Sequence, residues 1–201
     1  MNTLKEYIKE NVVITNKEAE KLGYTRYNLS GLTKSGQLER LRPGLYQLKG
    51  KVRDDFVLIS SNSNRIIFSH QTALYLHDLS DRTPSVFHIS VPQGYNASHI
   101  KKRYEDIQVH YVKKDLYEIG KTEIKSPQGN LIPIYDIERT ICDIIIDREK
   151  IDKQIFTDAI KRYFKSNNKN LRRLIKYSRL FKIEDEIRKY MEVLSWSISR
   201  V

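Results

Sequence analysis

Apolar positions in the first fifty residues come in short clusters, several of them closed by a glycine. Thr15-Asn16-Lys17-Glu18 has the form of a capping box, in which the hydroxyl accepts from the third amide and Glu18 reaches back. Ile14 and Ala19 stand at the staple positions, and Gly23 supplies a left-handed stop after Leu22. Thr25 then caps a second helix that runs to Ser35 and ends at Gly36. Leu4 to Ile8 predicts a preceding helix that closes a small core. Leu38 to Leu41 and Leu45 to Leu48 flank Pro43-Gly44 and predict two strands around a tight turn. Two helices joined by a glycine turn and followed by a hairpin predict a winged helix-turn-helix.

The pattern changes after Lys49. Asp54 to Ser61 predicts a connecting helix, Ile66-Ile67-Phe68 is apolar, and Ser69 caps the helical stretch HQTALYLHDL. Residues 85–91 alternate as a strand does, and Gln108 to Val112 predicts another. Thr122 to Lys125 and Leu131 to Tyr135 flank the turn Ser126-Pro127-Gln128-Gly129-Asn130. Asp136 caps residues 137–146, whose core stripe is Ile137, Ile141, Ile144 and Ile145. Beyond Ile151 the chain becomes helical, with stripes at Ile155, Phe156, Ala159, Ile160, Tyr163 and Phe164 and again from Leu171. The expected class is α+β: an N-terminal winged helix-turn-helix over residues 1–50, then a mixed α/β C-terminal domain over 51–201 that ends in helices.

Charge narrows the class of partner. Of the 201 residues, 36 are Lys or Arg and 25 Asp or Glu, for a net charge of +11. Residues 1–50 hold nine basic against five acidic residues, the next hundred fourteen of each, and the last fifty-one thirteen against six. Basic ends around a neutral middle point to contact with a polyanion, most commonly nucleic acid. No apolar insertion face accompanies the charge, so no membrane is expected as a partner. The first ten residues, MNTLKEYIKE, carry four charges and no apolar block, so a secretory leader is not expected. A single cysteine, Cys142, excludes an internal disulfide and suits a reducing compartment; the expected location is cytoplasmic.

The second helix carries the candidate interface. Leu29 and Leu32 turn inward, which sets Tyr27, Ser30, Gly31 and Lys34 outward, with Arg26 and Asn28 flanking and Thr25 at the cap. That face has donors, acceptors, a ring and a cation but no bulky aliphatic. Gly31 costs roughly 1 kcal/mol relative to Ala in a helix, a cost that close approach to a phosphate backbone or base edge would offset. Arg40 and Arg42 sit near the wing tip, within reach of phosphates or the minor groove. These are the attributes of a recognition helix and wing on double-stranded DNA. Arg172, Lys176 and Arg179 share an outer face near the C-terminus, which is either a solvated exterior or a second anionic contact surface.

Signs of catalysis are sparse. His70, His77, His88, His99 and His110 have no zinc-like spacing and no paired cysteines, so neither a metal site nor a cofactor is expected. Gly-rich phosphate loops are absent from the sequence, and Cys142 on an apolar helix reads as an inert core thiol. Asp136, Glu138 and Asp143 near Arg139 read as a cap and internal ion pairs. One enzyme-like pattern competes: Asp106 before a strand and Glu123-Ile124-Lys125 in the next hairpin could hold Mg²⁺ on adjacent strands, as a DNA-targeted metal-dependent nuclease would.

Three stretches, taken in order, carry a family resemblance: ITNKEAEKLGYTRYNLSGLTKSGQLERLRPGLYQL, FSHQTALYLHDLSDRTPSVFHISVP and PIYDIERTICDII. Together they resemble the AbiEi-type antitoxins of the AbiE abortive-infection systems, over nearly the full length. The resemblance implies a non-enzymatic antitoxin and transcriptional autorepressor of a type IV toxin–antitoxin system that confers phage resistance. The winged helix would bind inverted repeats in its own promoter. The C-terminal domain would counter a cognate AbiEii-type nucleotidyltransferase toxin without needing a stable complex. The family's DNA-contact region falls on Arg26, Tyr27, Asn28, Ser30 and Lys34 of the helix and on Arg40 and Arg42 of the wing.

Overall fold

The computed structural model describes residues 2–198; of these, the side chains of residues 2, 3, 5 and 195–198 are not described. Arg200, counted in the basic last segment, lies outside the described residues. The chain divides into two compact units. The first runs to Val57 and takes in Lys125–Asn130; the second holds Leu58–Ile124 and the chain from Leu131 on.

The first unit is built in the order α1 (Asn2–Asn11), β1 (Val13–Thr15), α2 (Asn16–Lys21), α3 (Arg26–Lys34), β2 (Leu38–Arg42) and β3 (Leu45–Leu48). Its sheet has the order β1-β3-β2, with both neighbouring pairs antiparallel. This is the winged helix-turn-helix that the hydrophobic pattern predicts, with one strand added. The pattern misses β1 because three residues are too few to show alternation. Ile14 at its centre is fully buried and pairs with Tyr46.

The expected capping box at Thr15 forms, and the expected cap at Thr25 turns out to be a second box, closed by Asn28. Thr15 Oγ1 accepts from Glu18 N while Glu18 Oε2 accepts from Thr15 N at 2.7 Å. Around Leu29, the core gathers Leu4, Ile8, Ile14, Ala19, Leu38 and Tyr46. Each large aliphatic buried this completely contributes about 1.5–3 kcal/mol, so helices of six and nine residues stand by packing rather than by propensity. Asp54 secures the distal part of the unit. Its Oδ1 accepts from Phe56 N, and its Oδ2 accepts from Ser126 Oγ and Asn130 Nδ2, both at 2.6 Å.

The second unit starts within α4 (Asp55–Ser60) and continues with β4 (Ile67–Phe68), α5 (His70–Leu76), β5 (Phe87–Pro92), α6 (Ser98–Lys101), β6 (Ile107–Val112), α7 (Lys114–Tyr117), β7 (Lys121–Lys125) and β8 (Leu131–Tyr135). Helices α8 (Ile137–Ile146), α9 (Lys153–Lys165), α10 (Leu171–Phe181) and α11 (Glu184–Ile198) complete it. The sheet order is β6-β5-β4-β8-β7. Strands β5 and β6 are parallel, as are β4 and β8, while β4 and β5 are antiparallel. The expected stripe of α8 packs with Ile160, Tyr163, Phe164, Leu174 and Ile187 of the last three helices.

That sheet order overturns the nuclease alternative. Strand β6, which follows Asp106, and strand β7, which carries Glu123 and Lys125, form opposite edges of the sheet. Three strands intervene, so at about 4.8 Å per strand Asp106 and Glu123 stand roughly 19 Å apart. No ion can bridge them. The sequence order of β6 and β7 suggested neighbours, but β8 returns between β4 and β7 and separates them.

Candidate nucleic-acid interface

Helix α3 is held at its start by Thr25, whose Oγ1 accepts from Asn28 N at 3.3 Å. Asn28 Oδ1 returns the bond, accepting from Thr25 N at 2.8 Å and from Thr25 Oγ1 at 2.7 Å. An Asn at this position, where Glu is usual, spends its oxygen on the cap and keeps amide donors for a ligand. Leu29 points into the core with no exposure. Arg26, Tyr27, Ser30, Gly31 and Lys34 are exposed, and Tyr27 is 86% exposed, a large ring with no core to fill.

A cleft of about 470 Å³ separates this helix from the wing. Arg26, Ser30, Thr33 and Lys34 line it from α3, Arg40 and Tyr46 from the hairpin, and Asn16 from the start of α2. Arg40 and Tyr46 are direct partners across β2 and β3. Asn16 N donates to Gly44 O at 3.1 Å, which ties the wing turn to α2. The three cations around the cleft, Arg26, Lys34 and Arg40, suit phosphate oxygens.

Of the residues singled out in the sequence, Arg26, Ser30, Lys34 and Arg40 come together in the cleft. Thr25, Tyr27 and Asn28 stand exposed on the same helix. Arg42 is half-buried and outside the cleft lining, because the register shifts between Arg40 and Arg42. Asn16, Thr33 and Tyr46 were missed. Pairing the two strands residue by residue would have found Tyr46; Asn16 needed the three-dimensional path of α2. Its Oδ1 is buried and has no hydrogen-bond partner among the described residues.

On α10, Arg172, Lys176 and Arg179 are all exposed. Arg179 is engaged within the chain: its Nε and Nη2 donate to the two oxygens of Glu184 at 2.9 and 3.3 Å. The Asp136 group is as expected. Asp136 Oδ1 accepts from Arg139 N at 2.8 Å, and Arg139 pairs with Asp143 at 2.9 Å, both nearly fully buried. Burial raises the Asp143 carboxyl to about 6 against the opposing charge of Arg139. Burial also pushes the Cys142 thiol well up, which keeps it inert.

The second unit brings together histidines that their spacing along the chain does not connect. His70 opens α5, His88 lies on β5, His110 on the adjacent β6, and Asp147 caps the end of α8. The His70 and His110 rings stack at 3.5 Å, and His88 Nδ1 lies 3.0 Å from His110 Nε2. Asp147 Oδ2 is 3.6 Å from both His70 Nε2 and His110 Nδ1. Burial lowers His70 and His110 to about 3 and His88 to about 4, so all three are neutral near pH 7. Burial alone would raise the Asp147 carboxyl, but Lys150, 2.8 Å from its Oδ1, holds it below the usual value. His70, His110 and Asp147 border a cavity of about 580 Å³.

The fold and the cleft define a winged helix-turn-helix unit followed by an α/β unit. Residues 2–49 match the family model described as "Transcriptional regulator, AbiEi antitoxin". No curated protein matches the chain. Among solved structures, the crystal structure of the RV2827C protein from Mycobacterium tuberculosis superposes with a TM-score of 0.58 at 12% identity, over 88% of this chain and 70% of that one. That likeness is one of fold. Among the described residues, no helix is long and apolar enough to cross a membrane.

Proposed function

We propose that this chain is a DNA-binding transcriptional regulator and antitoxin of the AbiEi kind, acting without catalysis in the cytoplasm. One observation carries the DNA-binding half: Arg26, Ser30 and Lys34 of an exposed helix face Arg40 of the wing across a polar cleft. With α3 in the major groove, Ser30 and the Asn28 amide reach base edges, and Tyr27 offers a ring to a sugar or thymine methyl. Arg26, Lys34 and Arg40 then fix the register on phosphates. The description of the family matched over residues 2–49 supports regulator and antitoxin roles alike.

The DNA target in this reading is the chain's own promoter, at inverted repeats, so that binding represses the operon. The second unit opposes a cognate AbiEii-type nucleotidyltransferase toxin, an action that does not require a stable complex between the two. The pair would form a type IV abortive-infection system active against phage. Fluorescence anisotropy with the upstream DNA and a scrambled duplex, over a range of salt, tests the first step. Salt-sensitive preference for the native duplex is expected. Equal affinity for both duplexes would remove the repressor reading.

A further inference from the structure

We infer that His70, His110 and Asp147 form a binding site for one divalent first-row transition-metal ion, held by His70 Nε2, His110 Nδ1 and Asp147 Oδ2. The inference is independent of the DNA-binding role, since all three residues and the cavity beside them belong to the second unit.

Spacing is the first argument. Each nitrogen is 3.6 Å from the carboxylate oxygen, and the three ligand atoms lie within 4.8 Å of one another. A contact of 3.6 Å is too long for a hydrogen bond. It is close to the edge of a tetrahedron, about 3.4 Å, whose corners sit about 2.1 Å from a central zinc ion.

The outer contacts supply the second argument. Metal-bound imidazoles use their remaining nitrogen in a hydrogen bond that fixes ring and tautomer. Both rings here have such a partner. His110 Nε2 is 3.0 Å from His88 Nδ1, and His70 Nδ1 is 3.0 Å from Ser69 Oγ, itself accepting from Ser90 Oγ at 2.8 Å. With Nε2–H of His110 donating to His88 and Nδ1–H of His70 donating to Ser69, both rings turn a lone pair toward Asp147 Oδ2. Three lone-pair atoms facing one another repel unless a positive charge lies among them. Asp147 is steadied in the same way, since Lys150 holds its second oxygen.

The backbone adds a third observation. His70 has a φ of +49°, a left-handed conformation that a non-glycine residue adopts at a cost. It projects the imidazole from the first turn of α5 toward β6. The rings stack at an interplanar angle of 11°, so coordination in both ring planes tilts one ring about its terminal torsion, which is a soft coordinate. Two imidazoles and one carboxylate leave a coordination position open, and the 580 Å³ cavity borders it. Water or an anion entering past Lys113 and Lys182 on the cavity wall would complete the shell.

The test uses the full chain, stripped with chelator and titrated with Zn²⁺ against a chromophoric chelator, then loaded with Co²⁺ for visible spectroscopy. One ion per chain is expected, with the d–d bands of a four- or five-coordinate Co²⁺ centre. Asp147→Asn and His110→Gln should each weaken Zn²⁺ at least ~100-fold, and His88→Phe roughly 10- to 100-fold through the lost hydrogen bond. His99→Gln, at an exposed histidine away from the cluster, should change nothing. X-ray absorption at the zinc edge of the unmodified chain needs no variant and should show a nitrogen and oxygen shell with two imidazoles. Failure to bind, binding that Asp147→Asn and His110→Gln leave intact, or an edge spectrum with fewer than two imidazoles would each overturn the site.

Discussion

A methyl group placed on Gly120 would stand 2.6 Å from Cβ of Arg139 and 3.1 Å from Oδ1 of Asp136. Gly120 has a φ of +76°, and its carbonyl accepts from Asp136 N. The segment from α7 to β7 is thus wrapped around a buried arginine. Arg139 Nη1 donates to the carbonyls of Leu116 and Ile119 at 2.7 and 2.9 Å. Its guanidinium lies 4.1 Å from the Tyr135 ring centre and 4.3 Å from that of Phe181. One side chain therefore links the α7–β7 segment, β8, α8 and α10.

Gly120→Ala should cost about 3 kcal/mol, combining the left-handed conformation with an overpacked contact. Gly129→Ala is the control. Its φ of +87° carries the conformational cost, but nothing lies within 4 Å of the added methyl, so about 1 kcal/mol is expected. Urea unfolding of the two variants measures the difference. Equal losses would mean that the approach to Arg139 relaxes freely.

His77 gives a pH dependence whose sign can be worked out. Its Nε2 donates to Tyr135 O at 2.7 Å, and burial lowers its pKa below 6.5. Above 6.5 the imidazole is neutral in both folded and unfolded chains, and the fold keeps the full benefit of the bond. As pH falls below 6.5, the unfolded chain takes up a proton that the folded chain does not, and stability drops. His77→Gln removes the titration. Its deficit against the unmodified chain, about 1 kcal/mol at pH 8, should therefore shrink at pH 5. A deficit that stays constant between the two would show that His77 is not held neutral.

Much of the first unit was legible because its signals are local. The residues of each capping box lie within three positions of one another, and the glycine stops and the Pro43-Gly44 turn need no partner from elsewhere. The outward face of α3 follows from helical periodicity once Leu29 is placed inside. The histidine cluster was illegible for the opposite reason. His70 and His110 are forty residues apart, and only the parallel pairing of β5 with β6, beside the start of α5, brings them together. The same non-local pairing misled the Asp106 reading, since strands consecutive in the chain became opposite edges of one sheet. Arg42 shows a smaller difference: the sequence sets it beside Arg40 near the wing tip, and with the irregularity between them Arg42 is half-buried while Arg40 is exposed.

Gly31 separates helix stability from DNA binding. A Cβ there meets nothing within 4 Å, so Gly31→Ala fits the folded chain and should stabilise α3 by about 1 kcal/mol. If the glycine is present to let a DNA backbone or base edge approach, the same change should weaken operator binding several-fold. Thermal unfolding and anisotropy on one preparation provide both readings. A gain in stability with no loss of affinity would show that the DNA does not approach α3 at this position.

Salt dependence assigns the phosphate contacts. Each cation that neutralises a phosphate releases counterions, so its loss flattens the plot of log K against log salt by about 0.9. Arg26→Gln, Lys34→Gln and Arg40→Gln should each flatten it by about that amount, since all three surround one cleft. Arg42→Gln should do less, because that side chain is half-buried behind the register shift. Replacing Arg172, Lys176 and Arg179 together should leave the slope unchanged. Arg179 already donates twice to Glu184, and a DNA phosphate would have to displace that bidentate pair. A flattening of ~2 or more in the α10 variant would instead make that face a second DNA contact, and binding would then need to be measured on duplexes long enough to reach both.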